Sequence, residues 1–144
     1  MGNRIVICGS MKFASQMIEV MNQLEELGLE AVGPLQVKGY ANGEITYVNN
    51  EDAQHKIDND VIRDHWNKIN DADAILVLNY DKGEIANYIG GNSLLEIGFA
   101  YVLDKPIYLL NDVPEIGYSS EIVAMKPIVI DGDLSLIKKE VGVS

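Results

Sequence analysis

The sequence predicts an α/β fold in which helices cover both faces of a mainly parallel, five-stranded sheet. Short apolar runs alternate with longer segments whose apolar residues recur at helical spacing. The first run, Ile5 to Cys8, is continuously apolar, as expected for a parallel strand buried on both faces. The alternation continues along all 144 residues without a linker, a repeat or a low-complexity tract. We therefore expect a single domain, residues 1–144, built of three layers.

The elements are predicted in this order. Strands are expected at residues 4–9, 29–32, 74–79, 106–110 and 127–130. Helices are expected at residues 14–27, 57–69, 93–103 and 134–141, and Gly28 is placed to end the first helix in a left-handed conformation. Residues 35–56 show little periodicity and are interpreted as a long excursion over the sheet edge, and residues 111–125 as a polar segment. The simplest strand order is 2-1-3-4-5, that of flavodoxin-like or Rossmann-like folds.

Composition and charge exclude several classes of function. The net charge of −11 argues against a nucleic-acid partner, because binding to a polyanion depends on clustered Lys and Arg. A small anionic ligand stays possible, since one pocket can be locally positive. No signal-peptide pattern or membrane-spanning run is present, so a cytoplasmic protein without a membrane partner is expected. The single cysteine, Cys8, is interpreted as a buried core thiol.

Common cofactor motifs are missing from the sequence. It contains no phosphate-binding G-x-x-x-x-G-K-[ST], no dinucleotide G-x-G-x-x-G after the first strand and no G-x-S-x-G nucleophile elbow. Two histidines and one cysteine are too few for a zinc site of the usual ligand set. We therefore expect neither a cofactor nor a metal.

Glu96 is the most informative residue, because it is the only charge in the apolar helical run 93–103. The run follows Gly90 and Gly91, which allow close backbone approach, and Asn92 or Ser93 is expected to cap the helix. Glu96 is then predicted to lie in the first helical turn, near the carboxyl end of the strand 74–79. Ligands bind at that edge of open α/β sheets. The alternative is a glutamate that only complements the helix dipole.

The turn after the first strand is the second candidate for ligand binding. Gly9 allows a tight bend, Ser10 offers a hydroxyl near a helix start, and Lys12 offers a positive charge. Together they can hold a phosphate or a sugar hydroxyl. The alternative is a plain strand-to-helix turn in which Ser10 is the cap.

Three segments together resemble one family. The segments 7–10, 71–79 and 91–100 look like the nucleoside 2-deoxyribosyltransferase superfamily, which includes the 2′-deoxynucleoside 5′-phosphate N-hydrolases. The resemblance covers roughly residues 4–111, and its most specific part is the Glu-x-Gly-x-Ala stretch that begins at Glu96. It implies that Glu96 attacks the anomeric carbon of a deoxyribose and passes the sugar to another base or to water. It also implies that Ser10 and Lys12 hold a 5′-phosphate.

The chain departs from the family pattern at two positions. Val6 stands where many members have a tyrosine, and His65 stands where many have an aspartate, with Asp64 beside it. The inward face of the predicted helix is expected to carry His65 together with Ile57, Val61, Ile62, Trp66 and Ile69. A histidine there can transfer protons at neutral pH, so His65 and Asp64 join Glu96 as candidate catalytic residues. The alternative is a core histidine that only satisfies its own hydrogen bonds. The loop 80–91 is longer than in the compact hydrolases and brings Tyr88 toward the site.

Three functions are consistent with these residues. The first is an N-glycosidase or deoxyribosyl transferase acting on a nucleoside or its 5′-monophosphate through Glu96. The second is a nucleotide-binding or sensing domain of the same fold without turnover. The third is a relative of the cytokinin-activating phosphoribohydrolases. The resemblance also implies a homodimer or higher oligomer, in which the segment 111–125 of a neighbouring subunit completes the pocket. Ser119 and Ser120 of that segment can hydrogen-bond a ligand; the alternative is a loop with a short helix packed on its own subunit.

Overall fold

The computed structural model describes residues 3–34, 36–45 and 60–140. Their strands form one sheet of five, all parallel, in the order β2-β1-β3-β4-β5. The strands are β1 (Arg4–Cys8), β2 (Glu30–Val32), β3 (Ala74–Val77), β4 (Ile107–Leu109) and β5 (Ile128–Val129). The predicted fold class and strand order are confirmed.

Helices pack on both faces of this sheet. A 3-10 turn at Met11–Phe13 precedes the first helix. The helices of the described residues are α1 (Ala14–Glu26), α2 (Val37–Ala41), α3 (Val61–Asn70), α4 (Gly91–Val102), α5 (Ser119–Ala124) and α6 (Ser135–Glu140). Among the residues that the structure describes, no helix has the length and apolar character needed to cross a membrane.

Several predicted boundaries were wrong. The strands are shorter than predicted because their flanking residues make other contacts; Leu29, for example, donates its N–H to the carbonyl of Leu24 at the end of α1. The excursion 35–56 contains the short helix α2, and the segment 111–125 contains α5. Among the described residues, the helix predicted at 57–69 spans Val61–Asn70, with Asp60 as its N-cap. Parts of the predicted segments lie outside the described residues: Leu35, residues 46–59 and residue 141.

The strands divide the core between the two faces of the sheet. On β1, Ile5 and Ile7 pack with α1, whereas Val6 and Cys8 lie on the other face, in the same buried cluster as residues of α3 and α4. This alternation follows from the two-residue period of a strand. The face that carries Cys8 is therefore the face on which the predicted helix of Glu96 packs.

The inward face of α3 is narrower than predicted. Its buried residues are Val61, His65 and Ile69, which lie four residues apart and so form one stripe along the helix. Ile62 and Trp66 were predicted to share that face, but they are 36% and 39% exposed. Each of them follows a buried residue of the stripe by one position. One residue of helix rotates the side chain by about 100°, here toward the surface. The prediction that His65 faces inward is confirmed.

Candidate functional site

The candidate site begins where the two central strands end. β1 and β3 are paired in parallel, with Cys8 opposite Val77, so their carboxyl ends lie at one edge of the sheet. Gly9 turns the chain there with φ at +155°. A Cβ at Gly9 would lie 3.1 Å from Cε of Met17 and 3.3 Å from the carbonyl oxygen of Leu78. The turn is therefore tight enough to favour glycine.

Ser10 and Lys12 follow directly at this edge. The hydroxyl of Ser10 accepts a hydrogen bond of 3.2 Å from the backbone N–H of Lys12, so Ser10 caps the 3-10 turn. A hydroxyl that accepts this bond can still donate its own proton to a ligand. The ammonium of Lys12 is exposed and lies 5.9 Å from the ring centroid of Phe13, which itself packs against Tyr80. Capping and ligand binding by Ser10 are thus compatible.

Glu96 lies one turn deeper in its helix than predicted. The helix α4 begins at Gly91, because the N–H of Leu94 already donates to the carbonyl of Gly90 at 2.9 Å. Gly90 is therefore the N-cap, and the predicted caps Asn92 and Ser93 lie inside the first turn. Glu96 belongs to the second turn. Since the dipole effect falls off within the first turn, complementing the dipole does not explain this glutamate.

Glu96 lies on the buried stripe of α4. Its neighbours on the stripe, Ser93, Ile97 and Ala100, are spaced by three and four residues and are all buried. The exposed fraction of Glu96 is only 3%. A buried carboxyl needs polar partners, because its removal from water costs free energy.

The partners of Glu96 come from two other elements. Oε2 of Glu96 lies 3.4 Å from Nδ1 of His65 on α3, and the thiol of Cys8 at the end of β1 acts on the pKa of the carboxyl group. Burial raises the pKa of Glu96 to about 8, while the Cys8 thiol and the charge of Lys68 oppose this rise. At neutral pH the carboxyl of the ligand-free protein is therefore mostly protonated.

Asp64, the neighbour of His65 in the sequence, forms an ion pair on α3. Oδ2 of Asp64 lies 2.9 Å from Nζ of Lys68, one helical turn away on α3. The same ammonium donates to the carbonyl oxygen of Gly33 at 3.2 Å. Asp64 thus holds Lys68, whose charge acts on Glu96. Asp64 belongs to the site through Lys68.

Tyr88 lies beside the start of α4. Its ring packs on Gly90, where an added Cβ would be 3.2 Å from Cε2 of the tyrosine. The ammonium of Lys82 lies 5.2 Å from the ring centroid of Tyr88, and the hydroxyl of Tyr118 donates to the carbonyl of Ile89. A Cβ at Gly91 would meet nothing within 4 Å, so the backbone there faces open space. The structure thus brings Tyr88, Gly90 and Gly91 together, and Asn92 follows in the same turn.

Ser119 and Ser120 are engaged within their own chain. The hydroxyl of Ser119 accepts the N–H of Ile116 at 2.8 Å and is within hydrogen-bonding distance of the carbonyl of Pro114. The hydroxyl of Ser120 donates to Oε1 of Glu121 at 2.9 Å. These contacts agree with the alternative in which the loop packs on its own subunit.

Two features of the site were not foreseen from the sequence. One is the effect of Cys8 on the pKa of Glu96, although the alternation along β1 already placed Cys8 on the sheet face that α3 and α4 cover. The other is a polar clamp: the buried side chain of Asn79 accepts the N–H of Asn111 and donates to the carbonyls of Asn111 and Asp112, each at 2.9 Å. A signal existed, because both asparagines follow a strand, Asn79 after β3 and Asn111 after β4.

The geometry can be compared with known proteins at the level of the fold. A single parallel α/β domain with this strand order is consistent with flavodoxin-like folds, including that of the nucleoside 2-deoxyribosyltransferases. A scan against protein-family models gave no match, and a search of curated proteins gave none either. Within residues 3–34, 36–45 and 60–140, no three His, Cys, Asp or Glu side chains are grouped as ligands for a metal ion.

Proposed function

We propose that this protein cleaves the N-glycosidic bond of a deoxynucleoside or its 5′-monophosphate, by hydrolysis or by transfer of the sugar, with Glu96 as the nucleophile. The observation that carries the proposal is the buried carboxyl of Glu96, in the helix that follows a central strand, 3.4 Å from an imidazole. Ionisable groups with a strongly shifted pKa concentrate at functional sites. Glycosidic cleavage also requires a group that transfers a proton to the departing base, and His65 contacts Glu96.

The reaction would proceed in two steps. In the first, the bond between the sugar C1′ and the base nitrogen breaks while one Glu96 oxygen bonds to C1′. The carboxylate also stabilises the positive charge that develops on the sugar. In the second step, water or another base attacks C1′ while the bond from C1′ to Glu96 breaks, and the proton of the attacking molecule passes through His65 back to Glu96. The choice between the two acceptors decides between hydrolysis and transfer.

His65 supplies the proton transfer that this chemistry needs. Because burial raises the pKa of Glu96 to about 8, the nucleophile must lose a proton first. Nδ1 of His65, at 3.4 Å, can accept that proton and so form a carboxylate beside an imidazolium. The imidazolium then donates the proton to the departing base, which closes the proton balance. Catalytic hydrogen bonds commonly shorten when substrate binds.

The remaining site residues fit the substrate by its chemistry. Ser10 and Lys12 would bind the 5′-phosphate at the turn after β1, with Gly9 allowing the turn. Tyr88 offers an aromatic face for the base beside Gly90 and Gly91, where the backbone leaves room.

The direct test is base release from a panel of deoxynucleosides, their 5′-monophosphates and the matching ribonucleosides. Glu96→Gln keeps the side-chain volume and should lower turnover by several orders of magnitude. Glu26→Gln, an exposed glutamate at the end of α1, is the control and should retain activity. Activity of Glu96→Gln within tenfold of the wild type, with folding intact, would eliminate Glu96 as the nucleophile. A preference for ribose would favour phosphoribohydrolase chemistry.

A second candidate is a nucleotide-binding domain without turnover. Two observations favour it: the carboxyl of Glu96 is mostly protonated at neutral pH, and Val6 and His65 replace the tyrosine and aspartate of the family pattern. This candidate predicts that calorimetry detects binding of a deoxynucleoside 5′-monophosphate by a wild-type protein that releases no base from the full panel.

A further inference from the structure

We propose that Tyr118 is a positioning residue that holds the ring of Tyr88 at the start of α4, ready for the base of the substrate. The hydroxyl of Tyr118 donates a hydrogen bond to the carbonyl of Ile89, which lies between Tyr88 and the N-cap Gly90. This bond belongs to the fold, whereas its consequence for substrate binding rests on the proposed function. Tyr118 belongs to the segment 111–125, so the contact gives that segment a role in its own subunit.

Two neighbouring loops at the carboxyl edge of the sheet are tied together at both of their ends. The loop 80–90 follows β3 and leads to α4, and the loop 111–118 follows β4, the neighbour of β3, and leads to α5. At the start of the two loops, Asn79 and Asn111 exchange hydrogen bonds of 2.9 to 3.0 Å between their side chains and backbones. At their far ends, the bond from Tyr118 joins them again. The two loops therefore form one unit.

The segment that carries Tyr118 is fixed by contacts of its own. The hydroxyl of Ser119 accepts the N–H of Ile116 at 2.8 Å and donates to the carbonyl of Pro114 at 2.5 Å. The side chains of Ile116 and Tyr118 also pack against the buried cluster that contains Ile89. A hydroxyl donor on such a segment can fix the direction of the peptide group that it binds.

The bond acts on the point where the loop 80–90 passes into the helix. The N–H of Tyr88 closes the loop by donating to the carbonyl of Tyr80 at 3.0 Å. The ring of Tyr88 packs on Gly90, where an added Cβ would be 3.2 Å from Cε2 of the ring. Ile89 links these two residues, and its side chain is buried. Fixing the carbonyl of Ile89 therefore fixes how the ring of Tyr88 is placed against the start of α4.

Base binding and the chemical step depend on different parts of α4. Tyr118 acts on the residues before its first turn, whereas Glu96 lies in the second turn and contacts His65 on α3. Removing the hydroxyl of Tyr118 should therefore weaken base binding and leave the chemical step nearly unchanged. A tyrosine that only packed in the core would contribute to stability without affecting base binding.

The first test measures amide hydrogen exchange by NMR in the full-length, ligand-free protein. Tyr118→Phe removes the hydroxyl and keeps the ring, so that packing is retained. Tyr101→Phe, at an exposed position on α4, is the matched control. The amide of Tyr88 reports on the loop that it closes, and the amide of Leu110, which donates to a carbonyl of β3, reports on the whole fold.

We expect Tyr118→Phe to increase the exchange rate at Tyr88 about tenfold more than at Leu110, because the loop opens more often without its second tie. Tyr101→Phe should change neither rate. An unchanged rate at Tyr88, or an equal increase at Leu110, would overturn the proposal. An equal increase at Tyr88 in Tyr101→Phe would overturn it as well.

The second test compares KM with kcat for base release from a deoxynucleoside 5′-monophosphate. Tyr118→Phe should raise KM about fivefold and leave kcat within about twofold, because contacts with the base are lost equally in the ground state and the transition state. As a competitor, 2-deoxyribose 5-phosphate carries the sugar and the phosphate without a base, so its inhibition constant should stay unchanged. An unchanged KM, or an inhibition constant that rises as much as KM, would overturn the role in base binding.

The two tests separate this proposal from the proposed function. If the wild type releases no base, the proposed function fails, and the exchange rates still decide whether Tyr118 holds the loop. If base is released and Tyr118→Phe keeps the wild-type KM, the role of Tyr118 fails and the proposed function stands.

Discussion

At the scale of single residues, the proposed function depends on one carboxyl group, that of Glu96, which is buried in the second turn of α4. Glu96 is the only charge in its apolar run, and that pattern alone singled it out. Its depth in the helix could not be predicted, because the start of α4 is set by the bond from Leu94 to Gly90 and not by a polar cap. The partners of Glu96 come from β1 and α3, so only the tertiary structure brings them together.

The raised pKa of Glu96 predicts how stability depends on pH. Between its ordinary value of 4.5 and about 8, the folded chain holds a proton on this group that the unfolded chain releases. The free energy of unfolding should therefore fall as pH rises through this window. Chemical denaturation at several pH values would show the fall, and Glu96→Gln should reduce its slope. An identical slope in both proteins would contradict the burial of an ionisable Glu96.

Lys12 is predicted to decide between phosphorylated and free substrates. Lys12→Ala should weaken the binding of a 5′-monophosphate by about 1 to 3 kcal/mol, because one charge-assisted hydrogen bond is lost. The binding of the free nucleoside should stay almost unchanged. Calorimetry with both ligands measures this difference. Lys105→Ala, before β4 at the opposite edge of the sheet, is the control. Equally weakened binding of both ligands would indicate a folding defect. Unchanged binding of both would show that Lys12 does not belong to the site.

At the scale of elements, the strand and helix types were predictable and their ends were not. Continuous apolar runs identified the parallel strands, and the left-handed Gly28 ends α1 as expected, with φ at +86°. The short helices α2 and α5 were missed because one turn or so of helix carries little periodicity. The clamp between Asn79 and Asn111 was missed for another reason, since it depends on two strand ends becoming neighbours.

That clamp predicts a stability effect that sequence reasoning alone would not suggest. Asn79→Ala should lower the free energy of unfolding by about 1 to 3 kcal/mol, because it leaves the partly buried N–H of Asn111 and two carbonyls without their partner. Urea denaturation measures the loss. Asn67→Ala, an exposed asparagine on α3, should cost far less. Equal losses in the two variants would show that the clamp contributes nothing particular.

At the scale of the whole molecule, the alternation of strands and helices predicted a parallel sheet, because parallel strands need crossover connections. Several strand orders satisfy that alternation, and the structure confirms the simplest one, 2-1-3-4-5. The site was predictable in outline, since both candidate turns follow central strands. Its partners were predictable only in part. His65 faced inward as expected, while Asp64 proved to hold Lys68, a pairing that their spacing of four residues could have indicated.

We propose that the protein works as a homodimer or a higher oligomer. Exposed apolar side chains on α4 and α5 agree with this, above all Val102 and Val123, which are 78% and 58% exposed. Light scattering at micromolar concentration should give a multiple of the chain mass. A monomer under these conditions would reject the proposal. A shared pocket is tested by mixing Glu96→Gln subunits with Ser119→Ala, Ser120→Ala subunits; no recovery of activity would reject it.

The central claim is that Glu96 forms a covalent bond to the sugar. A 2′-fluoro-substituted deoxynucleoside slows the second step and so accumulates the intermediate, which mass spectrometry of the digested protein can locate. We predict that one sugar is added to the peptide that contains Glu96, that one base is released per sugar bound, and that Glu96→Gln shows neither. Base release without an adduct, or an adduct on any other residue, would contradict the account.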